Sequence, residues 1–300
     1  MMNILAQPTI SLEILHQLPI NCRAQTVTTL KENMFILCSQ EDQQGIKVYD
    51  RNSMTEVTNI WLPATHLRDM FSCCISNCVY VLCIDLAWEH YSILRITKDG
   101  EHQFNVSPWI CDPELPGCSL SVSVNFNLIA HSMRKGHTHW ALSGYNTHGH
   151  LLNKIRLAKV DPFGGFLCFD RVIQKSNGNL ILTYVNDDWQ IELAEIDADG
   201  SVERRYKSSL TVGSGVNFAD MSGRIVIANR HNGVELLDSE FNLLEVTGSY
   251  MYLNVGQNVL YKLHYNSERN EVVGTCDNSP MNSVITIFRF KEERNRSKLC

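Results

Sequence analysis

The sequence predicts an all-β chain arranged as a six-bladed β-propeller, closed by an N-terminal strand that completes the last blade. Three observations predict it. Apolar residues run with period two, a polar turn recurs at long range, and the chain has a spare strand at its start and a missing one at its end. Short runs of five to nine residues follow one another, as in Asn33-Met34-Phe35-Ile36-Leu37, Tyr91-Ser92-Ile93-Leu94-Arg95-Ile96, Leu180-Ile181-Leu182-Thr183-Tyr184-Val185 and Ser283-Val284-Ile285-Thr286-Ile287-Phe288. Such runs bounded by turn residues read as strands. No convincing amphipathic helix is present. Met1 to Leu18 has some helical spacing, but Pro8 interrupts it, so a short N-terminal helix is the competing reading there.

The recurring turn follows a β-branched or aromatic run. It is seen at Tyr49-Asp50-Arg51-Asn52, Lys98-Asp99-Gly100, Thr147-His148-Gly149, Ala198-Asp199-Gly200 and Asp238-Ser239-Glu240. Asp-Gly suits tight hairpins, where central positions favour φ > 0. Gly100, Gly149 and Gly200 fall roughly 50 residues apart, the length of a four-stranded blade. The blades are placed at 22–62, 68–106, 120–157, 169–208, 217–246 and 252–290, the last one completed by 9–15. Residues 291–300, beginning Lys291-Glu292-Glu293-Arg294, read as a solvated tail.

The closure follows from a strand count. The last blade shows three strands, Asn258 to Leu263, Asn270 to Gly274 and Ser283 to Phe290. The N-terminal run Thr9-Ile10-Ser11-Leu12-Glu13-Ile14-Leu15 alternates as a strand with one buried face. Pairing the two removes open edges, which otherwise invite aggregation.

Composition sets the class. The 300 residues are 44% hydrophobic and 19% charged, enough apolar material for a large core and too little charge for a disordered chain. A net charge of −6 disfavours phosphate-backbone binding as the main task. No apolar run reaches the roughly 18 residues of a transmembrane helix, and the N-terminus lacks the basic segment of a signal peptide. Several of the eleven cysteines sit in apolar runs, among them Cys38, Cys83 and Cys168. There they read as small hydrophobes of a reducing compartment. The expectation is a monomeric cytoplasmic protein without a membrane segment.

One stretch resembles a known repeat. Gly223-Arg224-Ile225-Val226-Ile227-Ala228-Asn229-Arg230-His231-Asn232-Gly233-Val234-Glu235-Leu236-Leu237-Asp238 resembles the NHL pattern, with Asn229 where that family has Asp and Gly233 where it has Arg. Gly178 to Gly200 is a weaker version, and the first three blades diverge further. The arrangement looks most like the propeller portion of proteins that join NHL repeats to RING and B-box modules, which this sequence lacks. The resemblance implies a propeller that binds a partner on one face, usually protein and sometimes structured RNA. A few relatives of that architecture are enzymes, an amidating lyase and calcium-dependent lactonases among them.

Candidate chemical sites are sparse. Cys73, Cys74, Cys78 and Cys83 cluster, but Cys74-x-x-x-Cys78 has no matching second pair for zinc. His131, His137, His139, His148 and His150 fall in one blade, whereas a lyase-type site needs histidines converging from several. Asn186, Asp187 and Asp188, and Asp85 with Glu89, read as solvated turns rather than calcium ligands. No nucleophile-elbow, P-loop or dinucleotide motif is present. No catalytic residue, metal or cofactor is expected.

The loops between second and third strands open on one face, at Ser39 to Gly45, Asp85 to His90, Met133 to His139, Val185 to Gln190, Ala228 to Gly233 and Thr275 to Ser283. They carry Trp88 and Trp189, and the long connection Ser107 to Ser119 carries Trp109. Tryptophan with nearby arginine dominates protein interfaces. The expected partner-binding residues are therefore Trp88, Trp109, Arg134, Trp189, Arg230 and His231, in a non-enzymatic scaffold for a protein or peptide partner. A metal-dependent hydrolase or lyase and an RNA-binding propeller are the alternatives, the latter disfavoured by Glu41-Asp42 and Asp187-Asp188.

Overall fold

Strands whose two faces are both apolar have to be covered on both sides, and that requirement organises the computed structural model of this chain. It describes residues 9–40, 43–61, 65–73, 77–85, 91–97, 104–109, 118–122, 128–133, 140–146, 150–157, 172–175, 177–185, 190–211, 216–220, 223–229, 233–248, 259–266, 268–279 and 282–293. The strand β1 (Thr9–Ile20) comes first. It is followed by β2 (Arg23–Leu30), β3 (Asn33–Gln40), β4 (Gln43–Asp50) and β5 (Glu56–Trp61), then β6 (Thr65–Cys73), β7 (Cys78–Asp85), β8 (Tyr91–Thr97) and β9 (Phe104–Trp109). Next are β10 (Cys118–Val122), β11 (Leu128–Met133), β12 (Trp140–Tyr145) and β13 (Leu151–Leu157), then β14 (Val172–Gln174), β15 (Leu180–Val185), β16 (Gln190–Ile196) and β17 (Val202–Thr211). The chain ends with β18 (Val216–Asp220), β19 (Arg224–Asn229), β20 (Gly233–Asp238), β21 (Leu243–Gly248), β22 (Val259–Asn266), β23 (Glu271–Ser279) and β24 (Asn282–Glu293).

These strands form six four-stranded antiparallel sheets, five of them consecutive in the chain and the sixth ordered β1-β24-β23-β22. The first strand of each sheet meets the sheets on either side, β22 against β2, β2 against β6, β6 against β10 and β10 against β14. Strand β18 touches both β15 and β22 and completes the circuit. The fold is an all-β β-propeller.

The core lies between sheets. Phe35 and Leu37 of β3 pack with Leu67, Met70, Val79 and Val81 of the next sheet. Met34, Ile36 and Cys38 of the same strand turn the other way, onto Val273, Ile285 and Ile287. A strand with neighbours on both faces cannot alternate in polarity, which is why Met34 to Cys38 is unbroken apolar sequence.

The sixth sheet depends on β1. Its register runs from Thr9↔Glu293 to Ile20↔Ser283, with an irregularity between Ile14 and His16. The N-terminal segment is thus a strand rather than the competing helix, and it runs five residues beyond the expected Leu15. Strand β24 also runs past Phe290 into the expected tail, because Lys291 and Arg289 are held by Glu13 at 2.5 and 2.7 Å. Hydrogen bonds from Lys291 and Arg289 keep the Glu13 carboxyl below the usual carboxylate range.

The recurring polar turn joins the third and fourth strands. In it Asp50 Oδ1 accepts from the amides of Asn52 and Ser53 at 3.0 and 2.7 Å. Asp197 Oδ1 accepts from Asp199 and Ser201, and Asp238 Oδ1 from Glu240 and Asn242, at 2.8–2.9 Å. A carboxylate bonding its own backbone two and then three or four residues on holds the turn through local bonds alone. The described turns between first and second strands each place one residue at positive φ: Lys31, Asn77, Gly178, Gly223 and Asn270.

Removing residues 1–20 deletes β1 and exposes the backbone edge of β24 that it pairs. Burial of Ile20 with the partial burial of Ile14, Leu15 and Leu18 contributes on the order of 5 kcal/mol. The deletion should lower the melting temperature by roughly 10 °C or more, measured by circular dichroism.

Candidate functional site

Hairpin topology gives the ring two unlike faces. Turns between first and second and between third and fourth strands lie on one, the turn face. Loops between second and third strands, and connections from sheet to sheet, lie on the other, the loop face.

The turn face is held by ion pairs across neighbouring sheets. Arg51, buried at the end of β4, donates to Glu271 Oε2 at 2.8 Å across the first and last sheets. Arg269 pairs with Glu32 and donates to Asn52 Oδ1 at 2.8 Å. Lys175 Nζ reaches Glu195 Oε2 at 3.0 Å and the Ser239 carbonyl of the following sheet at 3.2 Å, while Asn179 donates to Glu195 Oε1 at 2.8 Å. Burial pushes the Glu195 pKa up, but the bonds from Asn179 and Lys175 outweigh it and hold the carboxyl below its ordinary value.

A second buried carboxylate joins the fourth and fifth sheets. Glu235 of β20 is 0% exposed. It accepts from Ser208 Oγ at 2.6 Å, Ser209 N and Oγ at 2.9 and 2.5 Å, and Tyr206 Oη at 3.2 Å, all from β17. Hydrogen bonds of this density offset the cost of enclosing a carboxylate.

Near the axis, three innermost strands meet at one hydroxyl. Thr28 of β2 donates to Ser72 Oγ of β6 at 2.9 Å and accepts from the Ser72 amide at 3.1 Å. His264 Nδ1 of β22 lies 3.2 Å from the same Thr28 oxygen. Which atom of the Thr28–His264 contact donates depends on the imidazole tautomer. The evident work of the trio is to tie three sheets together at the centre.

Of the residues expected at an interface, Trp88, Arg134, Trp189, Arg230 and His231 lie outside the described residues. Trp109 does not sit in a connection as expected. It is the last residue of β9, opposite Tyr91, because the outermost strand runs three residues past Val106. The first loop is also shorter than expected. Strands β3 and β4 pair out to Gln40↔Gln43, so Ser39 and Gly45 are strand residues.

His131 lies in β11, His150 is exposed with its amide bonded to Asn146 Oδ1 at 3.0 Å, and His137, His139 and His148 fall outside the described residues. Asp85 ends β7, while Glu89 and Asn186 to Asp188 also fall outside. Among the described residues, no three or more His, Cys, Asp or Glu side chains gather to hold a metal. Cys38 and Cys83 are buried in the core, and burial pushes the Cys83 thiol up to about 12.

Sequence reasoning missed Trp61, Glu235 and the trio at Thr28. Trp61 ends β5, opposite Gly45, and the residue is 42% exposed. A Cβ at Gly45 would meet Trp61 Cε3 at 2.6 Å, so the indole lies over the glycine. The signal was a glycine inside a strand run, which marks a close approach.

No protein-family model matches the chain, and no curated protein matches it. Solved structures do. The PQQ-bound form of aldose sugar dehydrogenase from Streptomyces coelicolor aligns at a TM-score of 0.65 and 13% identity, covering 95% of this chain and 100% of that one. The Cps50 (Swd1) β-propeller domain of Myceliophteria thermophila aligns at 0.58 and 7% identity, covering 93% and 99%. At these identities the likeness is one of fold. No helix among the described residues is long and apolar enough to cross a membrane.

Two outcomes follow. Thr28→Val keeps the shape and removes the hydroxyl shared by Ser72 and His264, which should cost about 1–3 kcal/mol in urea unfolding. Because the folded pKa of Glu195 is depressed, its contribution is present above the unfolded carboxylate value and lost as pH falls through the folded one. Wild type should therefore lose stability between about pH 5 and pH 3 more steeply than Glu195→Gln, measured by thermal melts across that range.

Proposed function

We propose that the chain is a six-bladed, NHL-like propeller of the cytoplasm, non-enzymatic, that serves as a protein-interaction scaffold through its loop face. The observation that carries the reading is Trp61. It is a half-exposed tryptophan at the loop-face end of an outermost strand, and Trp109 holds the same strand position in the next sheet. A large amphipathic ring held by the sheet costs little entropy on binding and supplies much contact area. The turn face is occupied by its own capped turns and ion pairs, which leaves the loop face for a partner. The contact residues are Trp88, Trp109, Arg134, Trp189, Arg230 and His231, joined by Trp61.

The test is capture of partners by the whole chain, identified by mass spectrometry and repeated with variants. Trp189→Ala and Arg230→Ala should each weaken capture about tenfold or more, the loss expected of an interface hot spot, with the melting temperature unchanged. If these variants unfold the chain, the residues are structural and the site is wrong. One tightly held equivalent of zinc or calcium in the purified protein would favour a metal-dependent hydrolase or lyase instead. Salt-dependent retention of RNA would favour a nucleic-acid partner.

A further inference from the structure

We propose that Cys73 and Cys78 form a redox-active dithiol, which a small peroxide oxidises to a disulfide across the β6–β7 hairpin. The two residues are direct register partners at the end of that hairpin. Opposite residues of an antiparallel pair project to the same side, with Cα atoms about 4.5–5.5 Å apart. A disulfide takes Cα separations of roughly 4.4–6.8 Å, so the bond needs no movement of the strands. Both residues are thiols here. Cys73 is 6% exposed and Cys78 is 0% exposed, which makes Cys73 the sulfur that an oxidant reaches first.

A cation stands beside the pair. Arg95 of β8 is the diagonal cross-strand neighbour of Cys78, since Cys78 pairs with Thr97. Its guanidinium hydrogen-bonds the Cys78 sulfur, and that bond raises the guanidinium pKa. Cys22, Cys38 and Cys83 lack this combination. Cys83 is enclosed in core between two sheets. Cys22 and Cys38 bond each other but are 1% and 0% exposed, and the register partner of Cys38 is Ala24.

The steps balance. The Cys73 thiolate attacks one peroxide oxygen, the O–O bond breaks, and sulfenic acid forms as hydroxide leaves. The Cys78 thiolate attacks the Cys73 sulfur, the S–O bond breaks, and a second hydroxide leaves. The two thiol protons end on the hydroxides, so two thiols and one hydrogen peroxide give one disulfide and two waters. Cys73 follows Ser72, which meets Thr28 near the axis. Oxidation therefore ties down the hairpin that carries this central contact.

The test treats the full chain with stoichiometric hydrogen peroxide, then alkylates and digests it with trypsin. The peptide of residues 69–95 should lose about 2 Da and two alkylation sites, and dithiothreitol should restore both. The loss should persist in Cys74→Ser and vanish in Cys78→Ser, where Cys73 accumulates as a dimedone-reactive sulfenic acid. Cys73→Ser provides the second variant should Cys78→Ser fail to fold, and it should leave Cys78 alkylatable. Survival of the 2 Da loss in Cys78→Ser or Cys73→Ser, or earlier oxidation of Cys22 and Cys38, would overturn the assignment.

Discussion

The first and last sheets turn apolar faces toward each other, so each must be covered by the other, and the seam between them is the constraint on which the ring depends. Strand β1 completes the last sheet, and the next strand, β2, opens the first sheet after only two residues, Asn21 and Cys22. Two residues cannot stretch far, so the sheets are held together by the chain itself. The seam is then filled from both sides. Ile20, Cys22, Val27, Met34 and Ile36 meet Val273, Ile285 and Ile287 in one apolar cluster, and the Ala24 amide donates to the buried Ser283 hydroxyl at 2.9 Å. The Arg51–Glu271 and Arg269–Glu32 pairs cross the same seam at the turn face. The Arg51–Glu271 pair has little exposure and is costly to break singly, so this seam resists opening more than surface ion pairs alone would allow.

Polar side chains in the ring mostly serve geometry. Asp50, Asp197 and Asp238 spend their carboxylates on their own turns. The sheet pairs beside those turns carry register irregularities at Val48/Tyr49, Glu195/Ile196 and Leu236/Leu237. A bulge increases twist, and twist is what lets neighbouring sheets stack around an axis. The repeat is thus a repeat of bend and cap more than of sequence. Glu235 and the Thr28 trio add bonds between sheets that apolar packing alone would leave less specific in register.

Much of this was legible from residue order. The polar turns reported the spacing because Asp and Gly are demanded there by local backbone chemistry, whatever the rest of the chain does. The Ile10 to Leu15 alternation reported an outermost strand, because such a strand has one covered face. What escaped notice was long-range. Thr28, Ser72 and His264 stand far apart in the chain, and an ordinary Thr in Thr26-Val27-Thr28-Thr29 carries no mark of its partners. Trp61 was overlooked because its strand, Glu56 to Trp61, reads as mixed and exposed. Trp109 was placed in a connection because Pro108 beside it reads as a breaker, although proline is tolerated on an outermost strand.

The pairing of Thr9 with Glu293 has a topological meaning. In the fourth and fifth sheets an Asp-capped turn joins the third strand to the fourth; in the sixth, that junction is where the covalent chain is open. The circle has no intrinsic beginning, since a short linker across this gap would give the sixth sheet what its neighbours already have. The chain could then be cut at another turn and keep its contacts, as a circular permutant. The open junction also lies on the turn face, so a domain fused at either strand end is delivered to the side opposite Trp61 and Trp109.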